Sequence, residues 1–190
     1  MKPVQNWRCN SACRSRHWTT STSAGTLGNG QVIGINARHV DGSKKRLFGG
    51  QSGLTYADGW DTGDGPILLV EGGSDTAALM TIGLSVVGRP SNTAGVKLLI
   101  DLLCEADIDR EIVVIGERDE KADGRWPGRD GAISTAKQLA ENLERPVAWS
   151  LCPDGAKDTR HSAGFNLVTV SHFLSATRRT FSPEFTAIGG

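Results

Sequence analysis

Short apolar runs in the sequence are followed by acidic side chains that could bind a metal ion. The acids are Glu71 and Asp75 after the first run, Glu117 and Asp119 after the third, and Asp154 and Asp158 after the fourth. Two carboxylates about 4 Å apart repel by roughly 4 kcal/mol at an effective dielectric of 20, so a group of them binds either protons or a cation. Oxygen ligands without histidine or cysteine favour Mg²⁺ or Mn²⁺ over zinc. The sequence therefore predicts a divalent-metal centre that binds phosphate and orients an attacking oxygen.

From Pro66 onward, apolar runs typical of buried strands alternate with patterns typical of helices. The predicted strands are Ile67–Val70, Leu84–Val87, Glu111–Gly116 and Pro146–Leu151. The helices between them are predicted to begin at caps, which are Ser74, Thr93 or a neighbour, and Asp130. This alternation predicts an α/β fold with a mostly parallel four-stranded sheet flanked by helices. Because ligands bind at the carboxyl ends of such strands, neighbouring first and third strands would bring Glu71 opposite Glu117 and Asp119.

The N-terminal part of the chain is basic, and its pattern predicts a small β-rich segment. Residues 1–50 contain eight basic side chains and one acidic one, although the formal net charge of the whole chain is zero. Residues 1–30 are polar and predict a loosely ordered basic arm. Gln31–Val40 and Lys44–Phe48 flank an Asp-Gly turn and predict a hairpin. A basic front and an acidic remainder suit a protein that holds a polyanion with one part and metal ions with the other.

Several segments resemble the Toprim domain of DNA primases from phages and plasmids. LLVEGGSDTAAL is similar to the first Toprim motif, in which a strand ends in Glu-Gly with an Asp a few residues on. IVVIGERDE followed by PGRDGAISTAKQLA resembles the second motif, and CPDGAKD resembles a Lys-Asp motif after the fourth strand. GNGQVIGINARHVDGSKKRLFGGQSGLTY is similar to the stretch that precedes Toprim in these primases. The resemblance runs from about Gly28 to about Ser162, which is most of the chain.

This resemblance implies a Toprim-like, Rossmann-like fold and a division of the chain into four parts. These are the basic arm at 1–30, a β-hairpin extension at 31–65 that resembles the N-terminal part of the primase core, a Toprim catalytic domain at 66–165, and a C-terminal helix and tail at 166–190. Within the last part, Leu167–Arg178 predicts a helix, and a loose tail is predicted from Phe181 onward.

The resemblance also implies roles for individual residues. Catalysis is expected from Glu71 as acid/base together with Asp75 and Lys157, and metal binding from Glu71, Glu117, Asp119 and Asp158. Contacts to phosphate or nucleic acid are expected from the basic residues Arg38, Lys44, Lys45, Arg46, Arg118, Lys121, Arg125 and Arg129. The implied function is a DNA primase-like nucleotidyl transfer with Mg²⁺ or Mn²⁺. Its partners would be a single-stranded DNA template, nucleoside triphosphates and a separate replicative helicase.

The sequence departs from the family pattern at Glu117, where the family more often has Asp, and in Glu120–Pro127, a longer loop than in replicative bacterial primases. Two alternatives therefore stay open. One is a non-catalytic Toprim module that binds nucleic acid or a replication partner, and the other is a Toprim-type nuclease that uses the same acids. A topoisomerase needs a tyrosine nucleophile, and the single tyrosine, Tyr56, lies in a glycine-rich connection without the large supporting domains of those enzymes.

Signals for other classes of protein are weak. Cys9, Cys13 and His17 have the spacing of half a zinc site, but a structural zinc needs four ligands, so zinc is not expected. The sequence contains no Walker A motif and no apolar run of transmembrane length, and its N-terminus is too polar for a signal peptide. We therefore expect a cytoplasmic protein with reduced thiols and no membrane partner.

Overall fold

The computed structural model describes residues 21–38, 43–48, 51–106, 108–159 and 178–183. Some predictions fall outside these ranges. They concern residues 1–20 with Cys9, Cys13 and His17, the turn at Asp41 and Gly42, the helix at Leu167–Arg178 apart from Arg178 itself, and the tail beyond 183. Within the described ranges, no helix is both long and apolar enough to cross a membrane.

Three antiparallel strands form a small N-terminal sheet. They are β1 (Ser21–Thr26), β2 (Val32–Arg38) and β3 (Lys44–Phe48), in the order β1-β2-β3. The predicted hairpin is present as β2 and β3, with Arg38 opposite Lys44. β1 lies in the segment predicted to be a loosely ordered arm. Its sequence, STSAGT, has no alternation of large apolar residues, and the strand forms by pairing with β2 along its whole length.

A five-stranded sheet forms the body of the protein. Its strands are β4 (Ile67–Glu71), β5 (Val86–Arg89), β6 (Ile112–Gly116), β7 (Val147–Leu151) and β8 (Arg179–Phe181), in the order β5-β4-β6-β7-β8. The first four strands are parallel, which confirms the predicted α/β fold. β8 is antiparallel to β7 and adds a fifth strand to the predicted four. The loose tail was predicted to start at Phe181, whereas Phe181 is the last residue of β8.

Three helices connect the parallel strands. They are α1 (Gly72–Thr81), α2 (Val96–Glu105) and α3 (Pro127–Leu143). The helices lie where they are predicted, but Ser74 and Asp130 are wrong as caps because each lies inside its helix. α1 begins directly after β4, and Gly72, with a φ of 76°, makes the sharp turn from strand to helix that other residues rarely adopt. α3 begins at Pro127, whose fixed φ suits the first helical position.

Both faces of the parallel sheet are buried, since alternate strand residues point to opposite faces. One core joins the inner sides of α2 and α3 to the strand residues Ile67, Leu69, Val87, Ile112, Val114 and Val147. The other core joins Leu79 of α1 to the strand residues Leu68, Val70, Val86, Val113, Ile115 and Ala148. The face that carries α3 is the one on which the odd-numbered residues of β4 and β5 lie.

Two glycines allow α3 to approach the end of β6 closely. A Cβ atom at Gly116 would lie 2.7 Å from the carbonyl oxygen of Gly128, and one at Gly128 would lie 2.5 Å from the carbonyl oxygen of Glu117. Both distances are shorter than any ordinary van der Waals contact, and the obstructing atoms belong to the backbone. The first turn of α3 is therefore held directly against the residues that follow β6.

Residues 54 and 55 join the small sheet to the large one. Leu54 and Thr26 exchange backbone hydrogen bonds of 2.7 and 2.8 Å, and Thr55 and Gly88 exchange bonds of 2.9 and 2.7 Å. Leu54 is fully buried and belongs to the core on the α3 side of the sheet. The connection between the sheets thus lies alongside the edge strand β5.

The close approach at Gly128 gives a first prediction. Gly128→Ala should lower the free energy of unfolding by about 2 kcal/mol, and the melting temperature by roughly 4 to 8 °C, because neither backbone neighbour can move aside. Lys137→Ala, on the exposed side of the same helix, is the control and should melt within about 1 °C of the wild type. Thermal denaturation followed by circular dichroism measures both. Equal melting temperatures for the two variants would show that α3 is not held as described.

Candidate metal and phosphate site

The carboxyl ends of β4 and β6 form the centre of the candidate site. β4 pairs with β6 in parallel, and the chain reverses its strand order between them, since β5 lies on one side of β4 and β6 on the other. The sequence predicts that the first and third strands are neighbours, and the pairing of β4 with β6 confirms this. Glu71 is the last residue of β4, and Glu117 directly follows β6. Both side chains are half-buried at this edge.

The electrostatics of Glu117 show that the predicted acids share one edge. The pKa of Glu117 is raised from the usual 4.5 to about 7, mainly by burial and then by the negative charges of Glu71, Asp75, Asp158 and Asp119, in that order. These four carboxylates come from three different segments of the chain. The fold therefore brings together all the acidic residues that the sequence analysis assigns to catalysis or metal binding.

Asp119 is positioned by the start of α3. The backbone N–H of Gly128 donates to Asp119 Oδ1 at 2.7 Å, so the carboxylate occupies the positive end of the helix. The ammonium of Lys121 lies 3.4 Å from Asp119 Oδ2, and the Asp119 side chain is only 13% exposed. Asp119 thus has a structural role as a helix cap in addition to its predicted role as a metal ligand.

Asp75 and Asp158 are the two most deeply buried acids of the site. Asp75 accepts hydrogen bonds from the backbone N–H and the hydroxyl of Thr159, at 3.1 and 2.6 Å. This contact fastens the segment after β7 to the first turn of α1, where Asp75 lies. Asp158 is buried next to Thr159 and is near enough to Glu117 to raise its pKa. The structure brings both residues to the predicted edge, with Asp75 committed to a buried structural contact.

The backbone of Lys157 lies at the same edge of the sheet as the acids. Its carbonyl oxygen accepts a hydrogen bond from the N–H of Arg118 at 2.8 Å, and the N–H of Cys152 donates to the carbonyl of Gly116 at 3.0 Å. The loop after β7 therefore lies directly against the end of β6. The side chain of Lys157 is exposed, so its predicted role toward phosphate stays a prediction.

The basic residues around the site are mostly paired with nearby acids. Arg118 donates to the carbonyl of Cys152 and forms an ion pair with Asp154 at 2.7 Å, which closes the loop after β7. Arg125 pairs with Asp123 at 2.7 Å. Arg129 stacks over the ring of Trp126 at 5.6 Å, beside the start of α3.

The other predicted nucleic-acid contacts lie in the hairpin of the small sheet. Arg38 lies in β2, and Lys44, Lys45 and Arg46 lie in β3. The structure describes the backbone of these four residues and not their side chains.

Arg89 is a charged residue of the site that the sequence analysis does not identify. It ends β5, the second of the predicted strands, which no carboxylate follows, and it is only 1% exposed. Burial lowers the pKa of Arg89 to about 10, while the charges of Glu71 and Glu117 oppose that shift. The one signal in the sequence is an arginine at the end of an otherwise apolar strand, which is costly to bury without a reason.

The donor set fits a hard divalent cation. The ligands on offer are carboxylate oxygens, which hard divalent cations prefer, and the adjacent Cys152 thiol has a pKa raised above its usual range by burial. Among the residues that the structure describes, no three acidic, histidine or cysteine side chains converge on one point. Mg²⁺ characteristically uses one or two carboxylates and completes its shell with water and substrate phosphate. The carboxylates present are thus of the kind that could hold Mg²⁺ or Mn²⁺, and the predicted metal stays a prediction.

The raised pKa of Glu117 predicts a dependence of stability on pH. Between about pH 4.5 and 7 the folded protein binds a proton that the unfolded chain has lost, so stability falls as the pH rises through this window. With allowance for solvent screening, the loss due to Glu117 is about 1 to 2 kcal/mol. Glu117→Gln should remove this part of the slope and melt higher than the wild type at pH 8 in the presence of a chelator. Glu120→Gln, at an exposed position, is the control. Parallel pH profiles for wild type and Glu117→Gln would contradict the prediction.

Comparison with known proteins supports the fold independently. The sequence matches no protein-family model and no curated protein. Among solved structures, a DNA primase domain from Pseudomonas aeruginosa is 18% identical with a TM-score of 0.64, and the match covers 90% of this chain and 56% of that one. The E. coli primase catalytic core is 18% identical with a TM-score of 0.62, covering 83% and 52%. The DnaG primase catalytic domain bound to ssDNA is 17% identical with a TM-score of 0.63, covering 83% and 51%.

This chain thus spans just over half the length of the primase structures that it matches. At these identities the likeness shows the fold and nothing finer. The five-stranded, mostly parallel sheet flanked by helices and the small antiparallel sheet described above fit this fold. The protein has the primase-type Toprim fold.

Proposed function

We propose that the protein is a primase-like nucleotidyltransferase that uses Mg²⁺ or Mn²⁺ at the ends of β4 and β6. The observation that carries this proposal is that Glu71, Glu117 and Asp119, with Asp75 and Asp158, lie at one edge, the switch point of a sheet with the primase-type fold. Mutual repulsion favours a cation there, and a cation favours a bound triphosphate. The reaction forms a bond between a 3′-hydroxyl oxygen and the α-phosphorus of a nucleoside triphosphate and releases pyrophosphate.

The residues of the site divide the work according to their position. Glu71 would accept the proton of the 3′-hydroxyl, and its half-buried position at the end of β4 supports this role. Glu117 and Asp119 would hold the metal ion, and their position on the segment between β6 and α3 supports this role. The ion would neutralise charge that develops on the phosphate and orient the attacking oxygen. Lys157 would contact the triphosphate as an exposed point charge at the same edge.

A single-stranded DNA template is the nucleic-acid partner that we propose. The hairpin contains four basic residues, and its strands pair Arg38 with Lys44 and Ala37 with Lys45. Because the larger domain is acidic, the hairpin is the part of the chain suited to phosphate groups. Near the acids, the stacked pair of Trp126 and Arg129 offers a flat surface of the kind that binds bases. One structure with the same fold is a primase domain bound to ssDNA. A replicative helicase is the protein partner that this function implies.

A second candidate is a non-catalytic Toprim module that binds nucleic acid. It is favoured by the contact of Lys121 with Asp119, in which an ammonium lies 3.4 Å from a predicted metal ligand. It is also favoured by Glu117, which is longer than the residue usual in the family. A Toprim-type nuclease would use the same acids and metal, so only the product of the reaction separates it from a nucleotidyltransferase.

Metal binding should stabilise the folded protein. Mn²⁺ at about 100 times its dissociation constant should add roughly 2.7 kcal/mol to the free energy of unfolding, because the ion binds the folded state only and relieves the repulsion between carboxylates. Melting curves with a chelator, with 10 mM Mn²⁺ and with 10 mM Ca²⁺ as a test of selectivity measure the effect. An unchanged midpoint in Mn²⁺ would mean that no metal site forms.

Asp119→Asn is the variant that tests the catalytic proposal. An asparagine oxygen can still accept the Gly128 N–H, so the cap is kept while the charge is lost. We expect incorporation of labelled nucleoside triphosphates on single-stranded DNA to fall at least about 100-fold, as is typical when electrostatic stabilisation at a reacting centre is removed. The melting temperature in chelator should stay equal or rise. Asp119→Ala should melt lower than Asp119→Asn, because loss of the cap costs about 1 kcal/mol.

Three results of that assay decide between the candidates. Incorporation by the wild type that needs Mn²⁺ and is lost in Asp119→Asn supports the nucleotidyltransferase. Shortening of the DNA with the same dependence identifies a nuclease. Binding of DNA without either product, at full metal occupancy, identifies the non-catalytic module. Glu120→Gln, which removes an exposed acid from the same loop, should behave as the wild type in every measurement.

A further inference from the structure

Arg89 is the largest fully buried side chain of the described core, and its guanidinium connects three parts of the fold. Nη1 donates to the carbonyl of Asn92 and to the hydroxyl of Thr135 in α3, both at 3.0 Å. Nη2 donates to the carbonyl of Ile115 in β6 at 3.1 Å. Since the strand order is β5-β4-β6, the side chain reaches from β5 across the end of β4 to β6.

The position of Arg89 brings its charge close to the acids of the site. Glu71 and Arg89 are partners in the pairing of β4 with β5, so their side chains leave the same face of the sheet, the one that carries α3. Ile115, whose carbonyl accepts from Arg89, is two residues before Glu117. The two acids whose charges act on Arg89 are Glu71 and Glu117.

The hydrogen bonds of Arg89 do not explain why a charged residue is buried here. The acceptors are two carbonyls and one hydroxyl, and Nε is buried without a hydrogen-bond partner among the described residues. A methionine of similar length would fill the same space without the cost of desolvating a guanidinium. What it would lack is a fixed positive charge that acts on both carboxylates at once.

We propose that Arg89 is the positioning residue of the acidic site, whose buried charge offsets the repulsion between Glu71 and Glu117 when no metal is bound. This inference rests on the proposed function, because it assigns the regulation of metal affinity at that same site. The fixed positive charge of Arg89 beside the metal ligands also repels the divalent ion that binds to them. Arg89 therefore keeps the divalent ion loosely bound, so that the ion exchanges together with the nucleotide that completes its shell.

Variants of Arg89 separate its charge from its hydrogen bonds. Arg89→Met should bind Mn²⁺ roughly tenfold more tightly than the wild type, because the opposing charge is gone. Arg89→Lys keeps the charge without the planar fork and should bind Mn²⁺ within about twofold of the wild type, although it melts lower. Thr135→Val removes one hydrogen bond from Arg89 and leaves the charge, so it should lower the melting temperature without changing Mn²⁺ affinity. Electron paramagnetic resonance of free Mn²⁺ measures the affinity without any turnover.

A purely structural role for Arg89 predicts the opposite order. Loss of packing and hydrogen bonds would loosen the site, so Arg89→Met and Arg89→Lys would both bind Mn²⁺ more weakly than the wild type. Equal or weaker Mn²⁺ binding by Arg89→Met would overturn the proposal. Tighter binding by Arg89→Lys, equal to that of Arg89→Met, would overturn it as well, because the charge is retained there.

A double variant keeps the test decisive if Arg89→Met does not fold in chelator. Adding Glu71→Gln removes the uncompensated repulsion, so the double variant should fold and melt well above Arg89→Met alone. A double variant that melts no higher than Arg89→Met would refute charge compensation. This comparison needs neither metal nor activity, so it remains valid even if the wild type incorporates no nucleotide. Failure of the nucleotidyltransferase proposal and failure of the Arg89 proposal are thereby distinguishable.

Discussion

The crowding of carboxylates at the switch point between β4 and β6 is the constraint on which this structure depends. Three segments bring acids to one edge, and positive charge reaches them from three directions. Arg89 lies beneath them, the first turn of α3 directs the Gly128 N–H at Asp119, and Lys121 contacts Asp119 from solvent. Each source is partial, since an N-terminal helix end carries about half a charge and an exposed ammonium is screened. Part of the negative charge of the acids therefore remains uncompensated at this edge.

Close packing of backbone against backbone turns this charge arrangement into a fixed geometry. Gly116 and Gly128 let the start of α3 touch the segment after β6, and Gly72 lets α1 start without a loop after Glu71. The contact of Asp75 with Thr159 holds the loop after β7 against α1. Backbone atoms fix the first two of these contacts, and the buried Asp75 carboxylate fixes the third. The carboxylates therefore stay close together at this edge.

Much of the fold was predictable because β4 to β7 are buried on both faces and give continuous apolar runs. The acids were predictable for a related reason, since Glu71 and Glu117 directly follow those runs and Asp158 lies in the loop after the last of them. Arg89 was not, because its one signal, an arginine at the end of an apolar strand, does not show whether the side chain turns inward or stays in solvent. The caps failed at Ser74 and Asp130, where a glycine turn and a proline start the helix instead. β1 and β8 are strands through pairing alone, and their residues carry no pattern of their own.

β8 has a consequence for the solubility of the protein. A parallel sheet that ended at β7 would present the unpaired backbone groups of Val147–Trp149 to other molecules, and such an edge is a template for aggregation. β8 covers this edge with three paired residues, from Arg179 opposite Trp149 to Phe181 opposite Val147. The new edge is short and carries the exposed Arg179, two features that discourage further pairing. A shortened chain that stopped before Arg179 would keep every acid of the site and lose its protection against self-association.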